Sequence, residues 1–154
     1  MNRFVLMTIA SCVALGFHGC SAEADTLAGS FEVLNQGSGP ESGVYGPKTI
    51  KVLEDQDSYE SALLSYSSDD ARTIDFSTYK MVLVDIGQRS SGGYSVTVTD
   101  TDVQDNYLRA TITTTVPGSS CVVTEALTNP YVFVAINTTK DILFTEQLET
   151  DSCN

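Results

Sequence analysis

Lys80–Thr99 reads K-M-V-L-V-D-I-G-Q-R-S-S-G-G-Y-S-V-T-V-T. Lys80–Ile86 is a mostly apolar run, which suits a central strand of a sheet. Tyr94–Thr99 alternates between polar and apolar or β-branched residues, as a strand with one exposed face does. The glycines between the two runs allow the backbone to take positive φ and turn sharply. The stretch therefore predicts two strands joined by a glycine-rich loop.

Runs of similar character on both sides of this stretch indicate more strands. Leu108–Val116 alternates strictly and is rich in threonine, which is typical of a half-exposed strand. Gln36–Pro40 has no apolar period and is predicted to be a loop. The remaining predicted strands are Phe31–Leu34, Thr49–Leu53, Cys121–Ala126, Tyr131–Ile136 and Ile142–Glu146.

One helix is predicted between the second and third strands. Asp57 is a plausible N-cap, and Glu60 stands at the spacing of a capping box. Tyr59, Leu63 and Tyr66 then fall on one face with Ala62 beside them, and the helix should end near Tyr66. The chain is thus expected to be mainly β with one short α-helix, folded as an antiparallel β-sandwich or open barrel. Residues 31–154 are predicted to form a single domain.

The first residues have the pattern of an export signal. Arg3 precedes an apolar run that is too short to remain as a membrane span, so residues 1–19 are predicted to be a signal peptide. Cys20 follows a small residue, as in a bacterial lipobox, and is the predicted lipidation site, with residues 20–30 as a tether. Ala22-Glu23-Ala24 offers ordinary cleavage and a soluble periplasmic or secreted product as the alternative. The expected location is the cell envelope, with the outer membrane favoured and the lipid as the only membrane contact.

Composition excludes several kinds of function. Without residues 1–19 the chain carries seven Lys and Arg against 20 Asp and Glu, a net charge of −13, which disfavours nucleic acid as a partner. His18, the single histidine, leaves with the signal peptide, and the chain has no tryptophan. Histidine-dependent nucleophilic catalysis and zinc binding therefore lack their residues. No catalytic residue, metal site or cofactor is predicted, although a carboxylate-based hydrolase stays open as a minor alternative.

The remaining cysteines and one acidic stretch carry two further predictions. Cys121 and Cys153 are the remaining cysteines of the exported chain, and an oxidising compartment predicts that they pair, with two free thiols as the alternative. Asp100–Asn106 is acidic but lacks the glycine and glutamate of an EF-hand, because Asp105 and Thr111 stand in those places. It is predicted to be a solvated hairpin turn, and a weak cation site is the alternative.

The glycine-rich stretch carries a resemblance to a known family. Asp75-Phe76 before the apolar strand, the G-Q-R-S-S-G-G-Y-S run, Cys121 and Asn129-Pro130-Tyr131 resemble the C-terminal domain of PrcB, a protease complex subunit. The resemblance spans roughly residues 49–144. It implies an exported protein-binding module, often a lipoprotein, that docks on or stabilises an extracytoplasmic protease.

The same residues define the predicted binding surface. The loop and the Asn-Pro-Tyr segment are expected at one end of the β-domain, where they would form a partner-binding edge. An ordinary flexible hairpin loop and tyrosines that merely fill the core are the alternative interpretation. A weaker likeness to chagasin-type inhibitors of cysteine proteases makes direct protease inhibition the alternative function. The predicted binding residues are Gln88, Arg89, Ser90, Ser91, Gly92, Gly93, Tyr94, Asn129, Pro130 and Tyr131.

Overall fold

The computed structural model describes residues 28–39 and 46–153. The predicted signal peptide, Cys20 and the tether up to residue 27 lie outside these residues. The described elements, in chain order, are β1 (Phe31–Gly37), β2 (Thr49–Leu53), α1 (Gln56–Leu63), β3 (Tyr79–Asp85), β4 (Ser95–Val103), β5 (Tyr107–Pro117), β6 (Tyr131–Asn137) and β7 (Asp141–Asp151).

The strands form two sheets that face each other. One sheet has the order β1-β6-β3-β2 and is antiparallel throughout, and the other has the order β4-β5-β7. The prediction of a mainly β sandwich is confirmed. The prediction of antiparallel neighbours is wrong for β5 and β7, which pair in parallel over eleven residues. The chain reverses direction after β5 to form β6 in the first sheet, and it reverses again after β6. β7 therefore runs in the same direction as β5.

The central strands of the first sheet, β3 and β6, are buried on both faces, which explains their apolar runs. On one face, side chains such as Val82, Val84 and Val134 pack against Val98 and Ile112 of the second sheet. On the other face, α1 contributes to a second apolar cluster that includes the following residues: Tyr59, Leu63, Met81, Leu83, Phe133 and Ala135. The second sheet has no such cover, which accounts for the alternation in β4 and β5.

The helix begins two residues earlier than the sequence suggested. The N-cap is Asp55, not Asp57, because the Asp55 carboxylate accepts a hydrogen bond from the Ser58 amide at 2.7 Å. The Ser58 side chain completes the capping box. These bonds hold the pKa of Asp55 below its usual value. The helix ends at Leu63, but the predicted apolar face is confirmed, with Tyr59 and Leu63 buried and Tyr66 packed beside them.

Two predictions about loops and strands are wrong. Gln36 and Gly37 belong to β1, so the predicted loop at residues 36–40 begins later. Cys121–Ala126 is not a strand. Its residues lie in the link from β5 to β6, which must cross from one sheet to the other and so leaves both ladders.

Candidate functional site

Two chain crossings lie side by side at one end of the sandwich. Residues 86–94, which include the Gly-rich loop (residues 87–94), lead from β3 in the first sheet to β4 in the second. Residues 118–130, here called the β5–β6 connection, lead back. Asp85 pairs with Tyr131, and Ser95 pairs with Thr115. Because both crossings join the same two pairs of neighbouring strands, they must run alongside each other.

Hydrogen bonds fasten the two crossings together. Arg89 and Thr128 exchange backbone bonds of 2.7 and 3.1 Å as an isolated antiparallel bridge. The Gly92 amide donates to the Thr124 carbonyl at 2.9 Å, and the Thr128 hydroxyl donates to the Ser91 carbonyl at 2.8 Å. The loop is therefore not a free hairpin, because its backbone is bonded to the β5–β6 connection at several points.

Two glycines are required by this arrangement. Gly87 has φ +77°, and Gly93 has φ +86°. A Cβ atom on Gly93 would also approach Val123 to 2.7 Å and Pro117 to 3.0 Å. Gly93 therefore lets the two crossings touch, whereas a Cβ on Gly87 would meet the backbone of Lys48 at 3.0 Å.

A disulfide ties the β5–β6 connection to the end of the chain. Cys121 and Cys153 are bonded, with their Cα atoms 5.2 Å apart, and the predicted pairing is confirmed. The Gly118 amide donates to the Asp151 carbonyl at 3.0 Å, and the Ser120 hydroxyl donates to the Ser152 carbonyl at 3.0 Å. The connection is thus held on one side by the loop and on the other by the end of β7.

A buried carboxylate anchors the base of both crossings. Asp85 is 3 % exposed and accepts hydrogen bonds from the Gly87 amide at 2.7 Å and the Asn129 side-chain amide at 2.7 Å. Its second oxygen accepts the Tyr66 hydroxyl at 2.6 Å. Burial and the bond to Asp85 raise the pKa of Tyr66 well above its usual value. One side chain therefore fixes the first residues of the loop and the last residues of the connection.

Arg89 and Tyr94 are partly buried residues of the Gly-rich loop whose side chains contact each other. The Arg89 guanidinium donates to the Ile86 carbonyl at 2.7 Å and lies 5.6 Å from the centre of the Tyr94 ring. Its Nε atom is buried and has no hydrogen-bond partner among the described residues. Arg89 is therefore held in place, and it lines a cleft together with Ile86 and Leu148.

The predicted binding residues meet at one end, as expected, but they differ in exposure. Asn129 is 1 % exposed, Tyr131 is 5 % exposed and Pro130 is buried. The Tyr131 ring packs against those of Tyr66 and Phe133. Asn129, Pro130 and Tyr131 therefore lie beneath the exposed surface and support it. Among the predicted loop residues, Gln88, Ser90 and Gly93 are exposed, while Arg89, Ser91, Gly92 and Tyr94 are partly covered.

The sequence reasoning missed the apolar part of this surface. Val122 is fully exposed and Leu127 is 56 % exposed, and both lie on the β5–β6 connection. It also missed the roles of Asp85 and Tyr66. The available signal for Asp85 was an acidic residue inside a strand that is otherwise apolar, because such a residue must find buried partners.

The acidic stretch at residues 100–106 is a strand end and a turn. β4 continues to Val103, so the predicted hairpin turn is shorter than expected. The Asp102 carboxylate accepts from Gln104 at 2.7 Å and from Arg109 at 3.2 Å. Within residues 28–39 and 46–153, no group of three or more acidic, cysteine or histidine side chains could hold a metal ion.

Comparison with known proteins finds one family that is similar to this end of the molecule. Residues 80–137 match the model of the family described as PrcB C-terminal. Over this region the chain is similar to the PrcB C-terminal family. The PrcB C-terminal region runs from β3 to the end of β6, so it contains both crossings and the strands that carry them, and it is narrower than the resemblance suggested. No curated protein and no solved structure matches the chain.

No helix in the described part of the chain has the length and apolar character needed to cross a membrane.

Proposed function

We propose that this protein is a protein-binding module of the cell envelope that docks on or stabilises an extracytoplasmic protease. The working surface is the pair of crossings, with Val122 and Leu127 as its apolar contacts. The observation that carries the proposal is that these two side chains stand in water on a segment fixed by a disulfide and by bonds to the Gly-rich loop. The PrcB C-terminal family supplies the class of partner.

Physical reasoning supports a binding role for this surface. Exposed apolar side chains on an ordered segment gain free energy when a partner covers them. A segment that is already held in place loses little conformational entropy on binding. The polar loop residues Gln88 and Ser90 lie on the neighbouring crossing and would form hydrogen bonds at the rim.

Direct inhibition of a protease is the second candidate. The observation that favours it is the side-by-side position of the two crossings, since paired loops at one end of a sandwich can enter a substrate cleft. The same surface would then cover the active site of the enzyme. The two candidates predict opposite effects on enzyme activity.

The test begins with the exported protein carrying an affinity tag. Partners are captured from envelope extract, identified by mass spectrometry and assayed for proteolysis with and without the purified protein. A docking or stabilising module should prolong the active lifetime of a captured protease without blocking substrate cleavage, whereas an inhibitor should reduce the cleavage rate. Absence of any protease among the captured partners would count against both candidates.

Membrane attachment through a lipid on Cys20, and the absence of catalysis by this chain, are parts of the same proposal. The buried carboxylate at the site, Asp85, is engaged by hydrogen bonds that hold the backbone and Asn129. Its bonding supports an architectural role for this residue.

A further inference from the structure

The edges of the two sheets differ in how they are protected. Within residues 28–39 and 46–153, the strands at the sheet edges are β1, β2, β4 and β7. Exposed edges invite pairing with other chains, and proteins commonly block them with bulges, short strands or lysine. β1 shifts register between Val33 and Asn35, and β4 shifts between Val98 and Asp100. β2 has five residues and exposes Lys51.

β7 has no bulge, is long and bears no lysine, so it differs from the other edges in being protected by acidic side chains alone. Its eleven residues keep one register with β5 from Asp141 to Asp151. The strand contains no proline, lysine or arginine. No described strand pairs with its outer edge. A long, straight edge of this kind is a template for strand addition.

An open cleft lies under the second half of β7. Ile142 and Phe144 pack against the core, so the residues of the same parity, Glu146 and Leu148, point toward the first sheet. That sheet does not reach them, and Leu148 is 75 % exposed. The cleft has a volume of about 570 Å³ and is lined by Lys48, Ile86, Arg89, Thr114, Glu146, Gln147 and Leu148. It offers room for side chains of an added strand.

The negative charge of β7 determines which added strand would pair with it favourably. Asp141, Glu149 and Asp151 have the parity of the outward face, and β7 bears no cation. Lys48 already pairs with Glu146 on the inward face. Opposite charges across neighbouring strands stabilise a pair, and like charges destabilise it. A second copy of β7 is therefore disfavoured, because centred antiparallel pairing would set Asp141 opposite Asp151 and Glu146 opposite its own copy.

We propose that the outer edge of β7 receives an extended strand from a partner protein, with lysine or arginine on its outward face and aliphatic side chains that enter the cleft beside Ile86 and Leu148. This surface adjoins the first crossing, whose Ile86 and Arg89 line the cleft, but the proposal does not depend on the function proposed for the crossings.

The backbone N–H and C=O groups of β7 alternate in direction, and this alternation identifies a variant that tests the proposal. The Asp151 carbonyl accepts from Gly118, which follows β5, so the odd-numbered residues turn their backbone groups toward β5. The even-numbered residues turn theirs outward, because these groups alternate along a strand. Leu148→Pro therefore removes an outward amide and leaves the β5 ladder intact. Leu148→Ala is the matched control for loss of the side chain.

The probe is a fluorescent peptide of alternating lysine and valine, as long as β7. A glutamate–valine peptide reverses the charge, and a backbone N-methylated lysine–valine peptide keeps the charge but cannot donate ladder hydrogen bonds. The full exported protein should bind the first peptide at least about tenfold more tightly than either control peptide. Hydrogen exchange should show new protection in β7, and Leu148→Pro should lose binding that Leu148→Ala largely keeps.

Equal binding of the N-methylated peptide would overturn the proposal, because it would show attraction by net charge alone. Protection at β1, β2 or β4 in place of β7 would also overturn it. So would self-association of the protein with protection of β7, since the edge would then take a second copy. If Leu148→Pro fails to fold, the comparison of the three peptides on the unaltered protein still decides the outcome.

Discussion

Asp85 anchors the base of both crossings through hydrogen bonds, so its removal should loosen both crossings. Asp85→Ala leaves the Gly87 amide, the Asn129 side chain and the Tyr66 hydroxyl without their acceptor. We expect the free energy of unfolding to fall by about 3 kcal/mol, since buried donors without partners are costly. Denaturant unfolding measures this loss, and hydrogen exchange at Gly87 should accelerate. Asp70→Ala, at an exposed site, is the control; an equal effect there would contradict the anchoring role.

Tyr66 should make the protein sensitive to alkaline pH. Burial and the Asp85 carboxylate raise the pKa of Tyr66 above its value in an unfolded chain, about 10. The folded state therefore holds this proton more tightly, and its contribution to stability is fully present below about pH 10 and is lost as pH rises further. Burial also raises the pKa of Tyr59, which adds to the same trend.

The variant Tyr66→Phe separates this contribution from the rest. At neutral pH it should lower the free energy of unfolding by about 1–2 kcal/mol, because Asp85 loses a hydrogen bond. Above pH 10 it should lose stability less steeply than the unaltered protein. Unfolding curves recorded across this range provide the measurement, and an unchanged alkaline slope would show that Tyr66 does not titrate as described.

At the scale of elements, the contact between the crossings depends on Gly93. An alanine there must adopt positive φ and place its Cβ against Val123 and Pro117. We expect Gly93→Ala to reduce the free energy of unfolding by about 1–2 kcal/mol. Gly46→Ala is the matched control, because nothing lies within 4 Å of a Cβ at that position. A neutral Gly93→Ala, measured by thermal or urea unfolding, would mean that the loop and the connection separate readily.

Loss of the disulfide should destabilise the β5–β6 connection more than β7. Cys121→Ser with Cys153→Ser removes a cross-link that a chain-entropy model values at about 3–4 kcal/mol. β7 stays paired with β5 through Asp151, so the strand should persist. Exchange protection should therefore fall at residues 118–128 and remain along β7. Loss of protection throughout β7 would show that the bridge, and not the ladder, holds the chain end.

The central strands β3 and β6 of the first sheet could be predicted because both of their faces are covered. Such strands appear as continuous apolar runs, as Lys80–Ile86 does. The parallel pairing of β5 and β7 could not be predicted, since the period of a strand is the same in either direction. Cys121–Ala126 misled because its β-branched residues Val122, Val123 and Thr124 are of the type enriched in strands, although the segment is a crossing. At the site, the glycine motif located one crossing, but the exposed Val122 depends on the path of the other.

At the scale of the whole molecule, attachment to the envelope is a prediction that concerns residues outside the described part. The native protein should carry a diacyl or triacyl group on Cys20, and intact mass spectrometry should show it. Cys20→Ala should abolish the modification and release the protein from membranes. A mature chain that begins at Asp25 without lipid would contradict this and would indicate ordinary cleavage after Ala24.

If the paired crossings bind the partner through their apolar residues, affinity for the captured partner should depend on Val122 and Leu127. Val122→Asp with Leu127→Asp should weaken binding by about a hundredfold, because two exposed apolar contacts become charged. Leu64→Asp changes a 70 % exposed leucine at the end of α1 and should leave affinity within about twofold. A double variant that stays folded by circular dichroism and binds as tightly as the unaltered protein would contradict the account.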